Sequence, residues 1–244
     1  MATEVPRPAF YALAPGGWRD YWTLLHPPYT LWHLSFVVVG AALAPVLSVR
    51  TLVATLVAFF LAVGLGAHAL DELHGRPLRT QIPGPVLATL AAVSIAGAAA
   101  TGVYGAVTVD PLLGLFVVAG VFIVGAYNLE LLGGRFHSDL WFGLAWGAFP
   151  ALTAYFAQAG RIRADAVLAA VYACTFSLAQ RRLSTPVRDA RRLVVSVEGR
   201  IVKRDGTTER VTRETLTATP EAALRLLVLS SIAVATGLLI MRVA

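Results

Sequence analysis

Long apolar stretches broken by short polar turns dominate the chain. An apolar run of about 18 residues or more is long enough to cross a bilayer as a helix. The pattern predicts seven such helices, at 29–47, 52–70, 86–107, 111–131, 140–159, 166–180 and 221–243, the sixth being the shortest. Helix punctuation accompanies them. Asp110 before Pro111, and Thr219 before Pro220 and Glu221, each set a capping residue ahead of a proline at the first turn. Asp139 and Asp165 stand where they would cap the fifth and sixth helices, and Pro45 and Pro150 fall near helix ends. The first apolar run is too long for the core of a signal peptide and lacks a small-residue cleavage site, so none is expected.

Three pieces break the apolar pattern. Residues 1–28 mix prolines with charges, and Trp18, Tyr21 and Trp22 suit a segment lying in the membrane interface. Within 181–220 the β-branched residues Val195, Val197, Ile201 and Val211 alternate in part around Asp205-Gly206, a hairpin turn signal. The expected organisation is an interfacial N-terminal segment (1–28), a six-helix bundle (29–180), a basic segment with a small β-hairpin (181–220) and a last helix (221–244). The fold class is an all-α polytopic membrane protein with about seven transmembrane helices.

Composition sharpens this reading. Apolar residues make up 57% of the 244 positions and charged residues 14%, against about 25% charged in a soluble domain. A soluble globule and a disordered chain are both excluded. The single cysteine, Cys174, excludes a disulfide scaffold and reads as a small apolar core residue. No Walker loop, dinucleotide fingerprint or serine-hydrolase elbow is present.

The net charge of +6 serves topology. If the seven helices alternate, one side receives every Lys and Arg except Arg50, Arg161, Arg163 and Arg242. Positive charge marks the cytoplasmic side, which puts the N-terminus in the cytoplasm and the protein in the cell membrane. The same side receives all five histidines and every acid except Asp110 and Asp165. Its basic segment suits anionic lipid headgroups better than nucleic acid.

Ionisable residues near membrane depth mark functional sites. His26 and His33 flank the start of the first helix. His68, Asp71, Glu72 and His74 gather at the end of the second, with Arg76 and Arg79 following. Glu130, His137 and Asp139 lie at the turn between the fourth and fifth. On a continuing helix His68, Asp71 and Glu72 share one face. Asp71 and Glu72 would suit Mg²⁺ with substrate phosphate, while Arg76 and Arg79 would suit phosphate oxygens directly. His68, His74 and a carboxylate, joined by Glu130 and His137, would instead suit Fe or Zn. A plain polar helix end with arginines facing headgroups also fits. Glu130, one turn inside its helix, would pair with Arg135 or a histidine.

Residues 22–182 resemble the UbiA-type intramembrane prenyltransferases, in particular the menaquinone-type branch. Three stretches carry the likeness. Ala67–Leu78 looks like a degenerate form of the family's Asp-rich motif after the second helix, with Asp71 as its middle aspartate and Arg76-Pro77-Leu78 as the stretch that follows. His26 to Leu31, leading to Val39 through Ala44, is similar to the family's opening motif. Tyr127 to Gly160 resembles its helix 4–5 region, where Asp139 falls at a commonly acidic position. The resemblance implies a helical bundle with a cytoplasm-facing cavity. It implies transfer of an isoprenoid chain from a diphosphate to a lipid-soluble or aromatic acceptor, with Mg²⁺ between carboxylates and diphosphate.

The chain departs from that pattern. His68 replaces the first aspartate and Gly75 lies near the third. A second Asp motif is missing after the sixth helix, where Gln180, Arg181 and Arg182 stand instead. The leading expectation has Asp71, Glu72 and His68 as metal ligands and His68 or His74 as an extra ligand or general base. Arg76, Arg79, Arg181 and Arg182 would hold the diphosphate, with Asp139 beside the substrate; Arg181 and Arg182 equally suit positive-inside anchors, and Tyr127 and Trp146 suit packing or an interface belt as well as a wall for a carbocation. The alternatives are a His/carboxylate metal enzyme on the same scaffold and a non-catalytic protein that binds an isoprenoid lipid or a partner enzyme.

Overall fold

The computed structural model of the protein describes residues 7–244. The chain is mostly helical (74%), with one small two-stranded antiparallel sheet. Apart from a single turn at Leu131–Gly134, the helices in chain order are α1 (Trp18–Leu24), α2 (Pro27–Leu43), α3 (Val49–Leu73), α4 (Gly84–Thr108), α5 (Leu113–Asn128), α6 (Asp139–Ala159), α7 (Ala164–Arg192) and α8 (Arg213–Val243). Strands β1 (Arg200–Val202) and β2 (Thr208–Arg210) lie between α7 and α8.

Seven crossings are expected from the sequence; among the described residues four helices, α3, α4, α6 and α8, are long and apolar enough to cross a membrane. Helix α5 is apolar but has 16 residues, and α2 has 17. Helix α7 is long, yet its second half is rich in arginine. Two boundaries also move. Helix α7 runs on to Arg192, because good helix formers such as Leu183, Ala190 and Arg191 outlast the apolar run. Helix α8 starts at Arg213, where Thr212 and Thr215 form a reciprocal cap, so Pro220 lies within it. Residues 181–192 and 213–220 are therefore helical, and the hairpin is confined to 200–210. Its register pairs Ile201 with Glu209, and Asp205 closes the turn by accepting from the Thr207 amide and hydroxyl. Ser138 caps α6, its hydroxyl accepting from the Trp141 amide, and Asp139 sits in the first turn.

Helix α2 is the axis of the bundle. It packs along α6 and α8 and also touches α3 and α7. Trp32, Phe36 and Val37 on it are fully buried. Close approach depends on glycine. A Cβ on Gly40 would run into the backbone of Ala151 on α6, and one on Gly147 would meet the backbone of Ala173 on α7. The outward faces of α4 and α8 carry exposed Val93, Val103, Leu226 and Leu229, as expected of a lipid-facing surface.

Two helices change pitch midway. Residues Phe60–Ala67 of α3 and Leu144–Ala148 of α6 are wound as wide π-helical turns. Such turns are rare and recur at functional sites.

Replacing Gly147 or Gly40 with Val is expected to cost about 1–3 kcal/mol or more through overpacking. The check is thermal unfolding in detergent, with Gly125→Ala, whose added Cβ meets nothing within 4 Å, as the unchanged control.

Candidate functional site

A polar cavity of about 130 Å³ opens at the end of the bundle where α2 begins and α3, α5 and α7 end. Four histidines line it: His26, His33, His68 and His137. Three are fixed through Nδ1. His33 Nδ1 lies 2.7 Å from the Trp146 carbonyl, His68 Nδ1 3.1 Å from that of Gly64, and His137 Nδ1 3.1 Å from that of Tyr127. A carbonyl only accepts, so each Nδ1 carries the proton. Nε2 is then the free nitrogen, an acceptor and base in the neutral ring. The Gly64 and Trp146 carbonyls both lie inside the wide turns.

His26 is held differently. It takes a left-handed backbone (φ 45°) immediately before Pro27, a conformation strained for a residue with a Cβ. Its ring meets that of His68 edge to face, with centroids 4.0 Å apart. Burial, with His68 beside it, keeps its imidazole well below the usual range and neutral at physiological pH.

Helix α7 supplies the cationic wall: Arg181, Arg188 and Arg192. Arg181 donates to Asp139 Oδ1 and to the Tyr127 hydroxyl, each at 2.8 Å, and lies over the Phe142 ring. Among the described residues Asp71 is the one carboxylate in the lining. Gln180 is 6% exposed, and its Oε1 is buried with no hydrogen-bond partner among the described residues. An orphan acceptor in a polar cavity marks a place for a donor from a ligand or water.

Beside this cavity runs an apolar groove of about 240 Å³ between α3, α4, α5 and α6. The two share Val63 and Trp146, one from each wide turn. Gly102, Gly105 and Gly120 line the groove, and Arg50 stands at its far end.

The expected site residues divide. His68, Asp71, Tyr127, His137 and Arg181 meet at the cavity, and Asp139 supports Arg181 from the side. Glu72 does not join them. It is fully buried, and its carboxylate accepts from the amides of Leu78 and Thr80 and from the Thr80 hydroxyl at 2.8–2.9 Å. It organises the loop after α3, and its oxygens are already engaged there. Arg76 serves the same loop, donating to the carbonyls of Thr80 and Ile82. Arg79 is exposed and bonds the Arg192 carbonyl. His74 is exposed at the end of α3. Arg182 has an 81% exposed side chain and reaches only Asp139, at 3.4 Å. Glu130 is exposed 3.9 Å from His137.

Three lining residues, Asn128, Arg188 and Arg192, are not among those the sequence singles out. The spacing 181, 188, 192 falls on one helical face, a signal hidden by ending the helix at 180.

Metal fit follows from the donor set. Among the described residues no three His, Cys, Asp or Glu side chains form a group able to hold a metal ion. With Glu72 engaged, Asp71 is left alone where a Mg²⁺ pair needs several carboxylates. The residues present do not fit the carboxylate-bridged Mg²⁺ of the expected motif, and the imidazoles do not close a three-donor Fe or Zn site. The chain matches no family model, no curated protein and no solved structure.

Glu72→Ala is expected to destabilise the fold by on the order of 3 kcal/mol, since it strips charge-assisted bonds from buried amides. Thermal unfolding should show the drop, with the exposed Glu198→Ala unchanged.

Proposed function

We propose that the protein is a divergent UbiA-like membrane transferase. It moves an isoprenoid chain from a diphosphate donor to a lipid-soluble or aromatic acceptor. In this reading the bundle crosses the membrane seven times, with the polar cavity facing the cytoplasm. One observation carries it: the polar cavity and the apolar groove lie back to back, with Val63 and Trp146 lining both. A ligand with a charged head and a long hydrocarbon tail matches that pair. At 1.5 Å per residue, α3 runs about 20 Å from Val63 to Arg50, room for an extended chain.

The residues divide the work accordingly. The arginines of α7 hold the head, and the groove holds the tail. The bond between carbon and diphosphate oxygen then lies at the junction. Its electron pair leaves with the diphosphate, and the allylic carbon becomes cationic. Trp146 and Tyr127, packed edge to face with centroids 5.4 Å apart, stabilise that charge. The acceptor's electron pair forms the new carbon bond. The proton it releases passes to Nε2 of His68 or His33, bases whose tautomer the backbone already sets.

The test is transfer by purified full-length protein from a labelled isoprenoid diphosphate to a hydroxylated aromatic acceptor. A prenylated product is expected, with at least tenfold loss in Gly120→Phe, which fills the groove beside Phe149. Binding of the diphosphate without product would favour the non-catalytic lipid-binding reading. Absence of binding would reject both.

A further inference from the structure

We infer that Arg188 and Arg192 form a clamp for the anionic head of the ligand, supplying the positive charge that a divalent cation would otherwise provide. The inference rests on the proposed reading of the cavity and names what recognises the headgroup there.

Successive α-helical residues turn by about 100°, so positions 181, 188 and 192 lie within about 20° of one line. All three side chains face the cavity, whereas Arg191, one residue away, turns to α8 and pairs with Glu221. Arg188 and Arg192 stand one turn apart, about 6 Å along the axis. That spacing lets two guanidinium forks converge on a diphosphate.

Their partners come next. Arg181 is matched by Asp139, and Arg191 by Glu221. Among the described residues, neither Arg188 nor Arg192 has a carboxylate within ion-pair distance. Arg188 donates to the Thr185 hydroxyl and Arg192 to the Pro8 carbonyl. A guanidinium has five N–H donors, so most are left for a ligand. Like charges one turn apart repel, and burial lowers the Arg192 guanidinium from its usual value. An anion between them relieves both effects and accepts bidentate, charge-assisted bonds.

The opposite wall agrees. Asp71 is its one carboxylate among the described residues, and Glu72 is engaged by the loop. The described lining therefore holds cations in excess, as an anion site does and as a site built on cations bridging carboxylates does not.

The experiment measures binding of farnesyl thiodiphosphate, a slow-reacting donor analogue, to the full-length protein in nanodiscs. One series contains excess EDTA and the other Mg²⁺. Farnesol is the uncharged control and phosphatidic acid the competing headgroup. Affinity in EDTA is expected within about twofold of that in Mg²⁺. Arg188→Gln or Arg192→Gln should each weaken thiodiphosphate binding by about tenfold, the scale of one lost charge-assisted contact. Arg188→Lys should recover only part, and farnesol binding should persist in every variant, showing that the bundle is intact. Binding that requires Mg²⁺, or that survives the double Gln variant in EDTA, overturns the clamp while leaving the transferase reading in place. Phosphatidic acid competing as well as the thiodiphosphate reassigns the pair to lipid headgroups and also overturns it. Failure to bind thiodiphosphate in both series, with farnesol binding retained, overturns the transferase reading itself.

Discussion

The site depends on hydrogen bonds from histidine rings to backbone carbonyls within two widened helices. A buried carbonyl inside a bundle has no water to turn to, and leaving it unpaired is costly. A wide turn replaces the regular i→i+4 ladder with i→i+5 spacing. His68 bonds a carbonyl of such a turn at Gly64 within its own helix, and His33 bonds another at Trp146 across the bundle. Each bond satisfies the backbone and also sets which ring nitrogen is free. The structural and chemical roles of these histidines are therefore inseparable.

Around that centre the polar groups sort by what they can reach. Residues tied to backbone or to each other are scaffolding: Glu72 and Arg76 shape the loop after α3, and Arg191 and Glu221 join α7 to α8. At the opposite end Gln158 exchanges hydrogen bonds with Ser48, and Arg242 holds the carbonyls of Ala44 and Pro45. Groups with unused capacity remain at the cavity: the Nε2 atoms, Gln180 Oε1 and two guanidinium groups.

The apolar pattern locates most helices, because burial and lipid exposure both demand hydrocarbon and neither depends on tertiary detail. It misjudges α7 and α8, where the helix outlasts its apolar stretch and capping or helix propensity decides the end. Among candidate side chains, the pattern finds the cluster at one end of the bundle and cannot sort it. Asp71 and Glu72 are adjacent acids of similar chemistry. Only the return of the loop, which brings the amides of Leu78 and Thr80 onto Glu72, separates their fates. His33 and His26 look like isolated residues at a helix start until α2 is placed against α3 and α6.

The wide turn in α3 also governs evolutionary register. An i→i+5 turn takes up one residue more than an i→i+4 turn. Wound as ordinary α-helix, the same chain would bring Asp71 to the place Glu72 now holds and Leu70 to the place of Asp71. Loss of a single residue within 60–67 can therefore be absorbed locally, while the downstream face keeps its aim. Two related chains could share this cavity and still disagree by one position in every column after it.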